Sequence, residues 1–95
     1  MNQLVLSATI AEASALRYTP AGLPAFDARL EHESEIVEAG QARQVKAAIK
    51  AVAFGSIAET LVRQPIGSHW RFTGFLATPR NGKHPVLHIQ SFVQS

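Results

Sequence analysis

Hydrophobic and polar residues alternate along most of this chain, and a period of two is typical of strands with one buried face. The alternation is clearest over residues 25–33, where Phe26, Ala28 and Leu30 take one face and charged residues take the other. The same period predicts further strands over residues 4–12, 43–54, 68–77 and 86–93. One-sided burial is typical of antiparallel sheets, so the pattern predicts five antiparallel strands.

Turn signals separate the predicted strands. Residues 13–24 and residues 79–85 are rich in proline and glycine, and the second segment contains Asn81-Gly82. Both segments predict turns or hairpin tips. The polar stretch over residues 33–41 predicts a long connection between the second and third strands.

One short segment departs from the period of two and predicts a helix. Over residues 56–64 the apolar residues recur four positions apart, as they do on one face of a helix. Ser56 with Glu59 three positions later predicts a capping box, and Pro65 prevents the helix from continuing. The prediction is a helix of about two turns between the third and fourth strands.

The order of these elements predicts an all-β fold. Three strands, one short helix and two further strands are the order of a five-stranded Greek-key OB-fold barrel, and residues 1–95 are predicted to form a single OB-fold domain. An SH3-like barrel and a five-stranded half-sandwich are the alternatives, and the position of the helix argues against both. The residues predicted to be buried are Leu6, Ile10, Phe26, Leu30, Ile49, Phe72 and Ile89.

Composition excludes several classes of protein. The chain has 95 residues, which is too short for a two-domain enzyme. Of these residues 46% are hydrophobic and 17% are charged, a composition that suits one small core. It has no cysteine, which excludes a disulfide scaffold, a thiol nucleophile and a cysteine-based metal site. No apolar run reaches the roughly 20 residues of a membrane helix, and no signal-peptide pattern is present, so we expect a cytoplasmic protein.

The charges are unevenly distributed along the chain. Residues 1–40 contain two basic and six acidic residues, a net charge of −4, whereas residues 41–95 contain seven basic residues and one acidic residue, a net charge of +6. Such an asymmetry is a hint of nucleic-acid binding. The alternative is that the two halves neutralise each other across the folded surface.

Cations and one aromatic side chain are predicted to form a binding surface. OB-fold proteins bind nucleic acids through the face of their second and third strands and through two neighbouring loops. Single-strand binders combine a cationic groove with aromatic faces on which bases stack. The predicted strand face and the two loops hold Arg43, Lys46, Lys50, Arg80, Lys83 and Tyr18. The alternative is a solvated strand face with no ligand.

Metal binding and catalysis are not expected. His84 and His88 are four positions apart, and a strand would separate them by about 13 Å. Glu31, Glu33 and Glu35 share a strand face, which is either a solvated acidic face or a docking surface for a basic partner. No phosphate-binding loop, dinucleotide-binding motif or nucleophile elbow accompanies them. The sequence therefore predicts no cofactor, no metal and no enzymatic activity.

Several segments resemble one known family. Residues 2–10, 66–76 and 81–88 resemble the first strand, the fourth strand and the last hairpin of single-stranded DNA-binding OB-fold proteins. Leu30-Glu31-His32 and Glu38-Ala39-Gly40 narrow the resemblance to the small dimeric members of that family, which act in bacterial replication restart. This family carries aromatic side chains near the loop into the third strand, where this chain has Gln41 and Lys46.

The resemblance implies a homodimer that binds single-stranded DNA and assists the primosomal helicase PriA, with other primosome proteins as further partners. Val5 supports the dimer, because it places an apolar residue on the outer side of a strand whose inner side already faces the core. A second hypothesis is an interaction adaptor that contacts mainly protein and binds DNA weakly. A small-molecule barrel is disfavoured, because so narrow a barrel is filled by its own side chains.

Overall fold

Strands account for most of the chain in the computed structural model, which describes residues 1–95. The elements in chain order are β1 (Leu4–Ala13), β2 (Arg17–Tyr18), β3 (Pro24–Glu38), β4 (Gln41–Phe54), α1 (Ser56–Leu61), β5 (His69–Ala77) and β6 (Val86–Val93). No helix in the structure has the length and apolar character needed to cross a bilayer.

Five of the strands close into a barrel, and the short β2 extends one edge of it. The strands follow one another around the barrel as β1, β3, β4, β6 and β5, and β5 pairs again with β1. All of these pairs are antiparallel except β4 with β6, which run parallel. This arrangement confirms the predicted five-stranded Greek-key barrel, and α1 lies between the third and fourth barrel strands, as predicted.

Large apolar side chains from every barrel strand fill the interior. Of the seven residues predicted to be buried, five are buried: Ile10, Phe26, Leu30, Phe72 and Ile89. Leu6 and Ile49 are only half-buried, although both pack against the same cluster. The helix contributes to this cluster through Ala58 and Leu61, so it is part of the core.

The second and third barrel strands are longer than the sequence pattern predicts. The long connection predicted over residues 33–41 is wrong, because β3 and β4 pair without interruption until Glu38 lies opposite Gln41. Ala39 and Gly40 both have positive φ, 52° and 78°, as the two central residues of a type I′ hairpin turn do. The tip was missed because both of its faces are exposed, so no apolar alternation marks it.

The start of α1 also differs from the prediction. Gly55 is the N-cap residue, with φ of 81°, and no side chain makes a capping hydrogen bond. Ser56 is the first helical residue, so the predicted capping box with Glu59 is wrong. Gly55 is suited to this position because its positive φ would be costly for a residue with a Cβ. Its N–H donates a hydrogen bond of 2.9 Å to the carbonyl oxygen of Pro24 and so ties the helix to β3.

A bulge between β5 and β6 shifts the facing of the last strand. Strict alternation would place Phe92 on the face opposite Leu87 and Ile89. The pairing shifts by one residue beside Gly74, where any Cβ would overlap the backbone carbonyl oxygen of His88. The shift turns Phe92 toward the core, where it packs edge-on against Trp70 with ring centroids 5.0 Å apart.

Replacing Phe72 with alanine tests the core. Phe72 is fully buried, so we expect its truncation to lower the free energy of unfolding by about 3–5 kcal/mol. That is a large part of the stability of so small a domain. Urea unfolding followed by circular dichroism would measure it. Val37→Ala at the exposed hairpin tip is the control, with an expected change within about 0.5 kcal/mol. Equal midpoints for the two variants would contradict the core described here.

Candidate nucleic-acid interface

The outer side of the β3–β4 pair carries most of the charged side chains of these two strands and is called the charged face below. Antiparallel pairing sets Arg29 opposite Lys50 and Glu33 opposite Lys46, so these side chains share one side of the sheet. The members of the charged face are Asp27, Arg29, Glu31, Glu33 and Glu35 from β3 and Lys46 and Lys50 from β4. The face is mixed in sign, because β3 is acidic and β4 is basic.

A groove of about 510 Å³ lies at the barrel end of the charged face. The end of β1, the paired strands β3 and β4 and the start of β6 line it, with Glu12, Arg29, Lys50 and Val86 among the lining residues. Arg29 is neutralised by carboxylates of Glu12 and Glu31, at 3.3 and 2.9 Å. Lys50 makes no ion pair and is the free cation of the groove.

The loop between β5 and β6 contains two more cations and ends at a residue that lines this groove. The loop begins after Ala77 and ends at Val86. These two residues pair with each other across β5 and β6, and Val86 also lines the groove. Arg80 and Lys83 are exposed in this loop and make no ion pair. The hairpin predicted here is present, but Gly82 does not have the positive φ of a two-residue type I′ turn. It instead closes a wider turn by donating its N–H to the carbonyl oxygen of Pro79 at 2.9 Å.

The cations of the projecting hairpin are matched by acids. Lys46 lies 4.0 Å from a carboxylate oxygen of Glu33, to which Gln44 also donates a hydrogen bond of 2.7 Å. Arg43 pairs with Glu38 at 2.8 Å. Because successive residues of a strand face opposite ways, Arg43 lies on the side of the hairpin away from Lys46 and is not part of the charged face.

Tyr18 is exposed, with 64% of its surface accessible, but it is not on the charged face either. Its neighbour Arg17 reaches Asp27 on that face, donating from Nε at 2.6 Å and from Nη2 at 3.1 Å. The hydrogen bond and the negative charge of Asp27 raise the pKa of Arg17 above its already high usual value. Since Arg17 points to the charged face, Tyr18 points to the other side of β2.

A row of three aromatic rings, which the sequence pattern did not predict, extends the charged face. Phe54, at the end of β4, lies on the same side of the strand as Lys46 and Lys50. Its ring centroid is 5.9 Å from that of His88, and His88 stacks on Phe75 at 4.8 Å with an angle of 15° between the planes. Residues 46, 50 and 54 are separated by even numbers of positions, so the sequence alone already placed Phe54 on the side of the strand that holds the two lysines. These three rings are called the aromatic row below.

The remaining histidines and acidic residues form no metal centre. No group of three or more histidine, aspartate or glutamate side chains is arranged to hold an ion. His32 instead forms hydrogen bonds of 2.6 Å to the carbonyl oxygen of Ser7 and 2.8 Å to the hydroxyl of Ser34. Its ring connects β3 to β1 where the hairpin leaves the barrel.

Comparison with known proteins places the chain in a family. Residues 2–91 match a family described as another single-strand binding protein family. Replication restart protein PriB of Bordetella pertussis is 50% identical over 91 residues, which cover 95% of this chain and 85% of that protein. The chain belongs to the PriB family of single-strand binding proteins. Its similarity to replication restart protein PriB of Nitrosomonas europaea is 38% identity over 90 residues, covering 94% of this chain and 83% of that protein.

Solved structures show the same fold in another PriB protein and in a more distant protein. The structure of PriB from Ralstonia solanacearum matches with a TM-score of 0.89 and 38% identity, covering 99% of this chain and 97% of that one. The wild-type single-stranded DNA binding protein from Thermus aquaticus matches with a TM-score of 0.79 and 23% identity, covering 98% of this chain and 49% of that one. At 23% identity the second likeness concerns the fold alone.

Replacing Asp27 with asparagine tests how the first loop is held against the charged face. The change weakens the ion pair with Arg17, and exposed pairs of this kind contribute about 0.2–1 kcal/mol. We therefore expect amide exchange in residues 14–23 to become about two- to fivefold faster. Hydrogen–deuterium exchange with mass spectrometry would detect it. Glu35→Gln, at an acid with no ion pair, is the matched control. Unchanged exchange in Asp27→Asn would show that the pair does not hold the loop.

Proposed function

We propose that this chain binds single-stranded DNA and acts as an accessory protein of the replication-restart primosome. The observation that carries the proposal is a set of three cations without ion pairs: Lys50 lines the groove, and Arg80 and Lys83 lie in the loop that ends at Val86, another residue of the groove. Unpaired cations in and beside a groove attract a phosphate backbone whatever its base sequence. Membership of the PriB family, whose named relatives are replication restart proteins, supports the cellular role.

The proposed DNA path begins at the loop of residues 78–85 and crosses the groove at Lys50. Lys46 extends this path along β4, with its charge partly neutralised by Glu33. Arg43 and Tyr18 are proposed as outer contacts, reached by DNA that passes around the edges of the sheet. In this role the protein carries out no reaction of its own and works beside the bacterial chromosome, in the cytoplasm.

A homodimer is the proposed assembly. Val5 and Val93 are 54% and 47% exposed on the outer side of β1, β5 and β6. Val5 on β1 lies opposite Thr73 of β5, and Val93 on β6 lies opposite Arg71 of β5. Residues 71 and 73 share one side of β5, so the two valines lie on the same side of the sheet with β5 between them. A barrel has one interior, and it is already full. A second copy related by a two-fold axis would cover this apolar patch with its own copy of the same patch.

A protein partner is supported by a different observation, the acidic row on the charged face. Glu31, Glu33 and Glu35 follow one another along the exposed side of β3, and Glu35 has no ion pair. Such a row repels DNA and suits a basic protein surface. We propose the primosomal helicase PriA as this partner, with other primosome proteins as further candidates. An adaptor that binds mainly protein and binds DNA weakly is the second candidate function.

The salt dependence of binding to an oligothymidylate tests the DNA-binding role. Neutralising one phosphate of a single strand contributes about −0.7 to the slope of log affinity against log salt concentration. Three engaged cations predict a slope of roughly −2. Lys50→Ala and Lys83→Ala should each flatten it by about 0.7. Fluorescence anisotropy at several salt concentrations would measure this.

Arg63→Ala is the matched control for these two variants, because Arg63 is also a cation without an ion pair but lies in the segment after α1. It should leave the slope unchanged. A slope near zero for the parent protein, with tight binding to PriA, would favour the adaptor instead.

Sedimentation equilibrium at micromolar concentration tests the dimer. We expect about twice the chain mass of 10.3 kDa for the parent protein. Val5→Lys places a charge in the proposed contact and should give the monomer mass. Val37→Lys, at an exposed valine of the hairpin tip, should remain dimeric. A monomeric parent protein would contradict the proposed assembly.

A further inference from the structure

The side chain of Asn2 takes the place of a strand residue at one end of the barrel. β1 pairs with β5 from Thr9 to Leu4, and Leu4 lies opposite Gly74. Asn2 is two positions before Leu4, and it meets Leu76, two positions after Gly74. Its Nδ2 donates a hydrogen bond of 2.6 Å to the Leu76 carbonyl oxygen, and its Oδ1 accepts one of 2.9 Å from the Leu76 N–H. One side chain therefore makes both hydrogen bonds of an antiparallel residue pair.

Asparagine is suited to this position because its side chain is an amide, like the peptide group that it replaces. It offers an acceptor oxygen and a donor nitrogen in one plane. Aspartate would keep the acceptor and lose the donor, and alanine would lose both. The backbone N–H and carbonyl oxygen of Leu76 would then have no partner on the β1 side of β5.

The end of β5 that Asn2 holds leads directly into the loop with two unpaired cations. Ala77 ends β5, and residues 78–85 are all exposed. One backbone hydrogen bond closes within this loop, from the N–H of Gly82 to the carbonyl oxygen of Pro79. The position of the loop on the barrel is therefore set mainly by the two strands that it joins.

Those two strands are held differently where they meet the loop. β6 has a neighbour on each side, because Leu87 and His88 pair with β4 as well as with β5. β5 has β6 on one side, but on the other side β1 stops pairing at Gly74. The carboxamide of Asn2 extends the hold on that side as far as Leu76. The orientation of the loop therefore depends on Asn2 at its β5 end.

We propose that Asn2 is a positioning residue for the loop of residues 78–85, and so for the DNA contacts of Arg80 and Lys83. This rests on the proposed single-stranded DNA binding and adds to it a residue that does not line the groove. Without the two carboxamide bonds, the end of β5 is released on one side and the loop samples more orientations. Ordering such a loop on DNA costs free energy, which weakens the contribution of its cations.

Hydrogen–deuterium exchange without DNA tests whether Asn2 anchors the loop. Asn2→Ala removes both bonds to Leu76, and the net effect of one typical hydrogen bond is about two- to tenfold in an opening equilibrium. We expect exchange in residues 76–84 to become faster by about this factor, with residues 26–32 of β3 unchanged. Gln3→Ala, at the exposed neighbouring residue, is the matched control and should leave both segments unchanged.

Double-mutant cycles with an oligothymidylate test the role of Asn2 in DNA binding. In the parent protein Lys83→Ala should flatten the salt slope by about 0.7, whereas in Asn2→Ala it should flatten it by about 0.3 or less. Lys50→Ala should flatten the slope by about 0.7 in both backgrounds, because Lys50 lies on β4 and not in the loop. A loss of stability spread over the whole domain would not separate the two lysines in this way.

The outcomes distinguish this inference from the proposed function. If the parent protein does not bind the oligothymidylate, the DNA-binding role fails and the part of Asn2 in it fails too, while exchange still reports whether Asn2 anchors the loop. If the parent binds with a slope of roughly −2 and Asn2→Ala leaves exchange in residues 76–84 unchanged, the DNA-binding role stands and the anchor is overturned. Faster exchange with an undiminished effect of Lys83→Ala would also overturn the proposal, because the loop would then contact DNA without being positioned.

Discussion

The barrel closes because β1 pairs with two different strands along its length. The first part of β1, residues 4–9, pairs with β5, and its last part, residues 9–13, pairs with β3. An irregularity in the pairing between Ile10 and Glu12 marks the change of partner, and such bulges bend a strand and increase its twist. Because β1 bends there, a sheet of five strands closes on itself and encloses Phe26 and Phe72.

Because the barrel is narrow and closed, a ligand can bind only on its outer surface. The interior is occupied by the protein's own side chains, so a ligand meets only outward-facing residues and loops. The outside is divided into regions of different chemistry. The side formed by β1, β5 and β6 exposes Val5 and Val93, whereas the side formed by β3 and β4 is charged and ends in the aromatic row. A contact between copies and a contact with DNA can therefore use different surfaces of one small barrel.

The uneven charge of the sequence is largely neutralised where its two halves meet. The acidic residues of the first half lie on β3 and face the basic residues of β4 across a hairpin, as Glu33 faces Lys46. The charges of the projecting hairpin are therefore largely neutralised. This neutralisation does not extend to Lys50, which makes no ion pair, or to the loop between β5 and β6, which contains Arg80 and Lys83 and no acid. Lys50, Arg80 and Lys83 are therefore left without an acidic partner.

Local patterns along the chain predicted the five barrel strands, most of their buried faces and the order that leads to a barrel. These features depend on local alternation. Phe26 and Leu30, for example, are predicted to be buried because polar residues alternate with the apolar ones around them. Local alternation did not predict the hairpin tip around Ala39, because no core face imposes a pattern there, and it did not predict the bulge at Gly74, because that follows from contact with His88.

Which candidate residues share a surface follows from strand pairing and register, not from local patterns. Lys46 and Lys50 share a face by local alternation, but whether each cation meets an acid depends on the register between β3 and β4. The aromatic row depends still more on the fold, since Phe54, Phe75 and His88 are far apart in the chain and meet only because β4, β6 and β5 are neighbours. Strand pairing creates such contacts between distant segments, and no local pattern in the sequence records them.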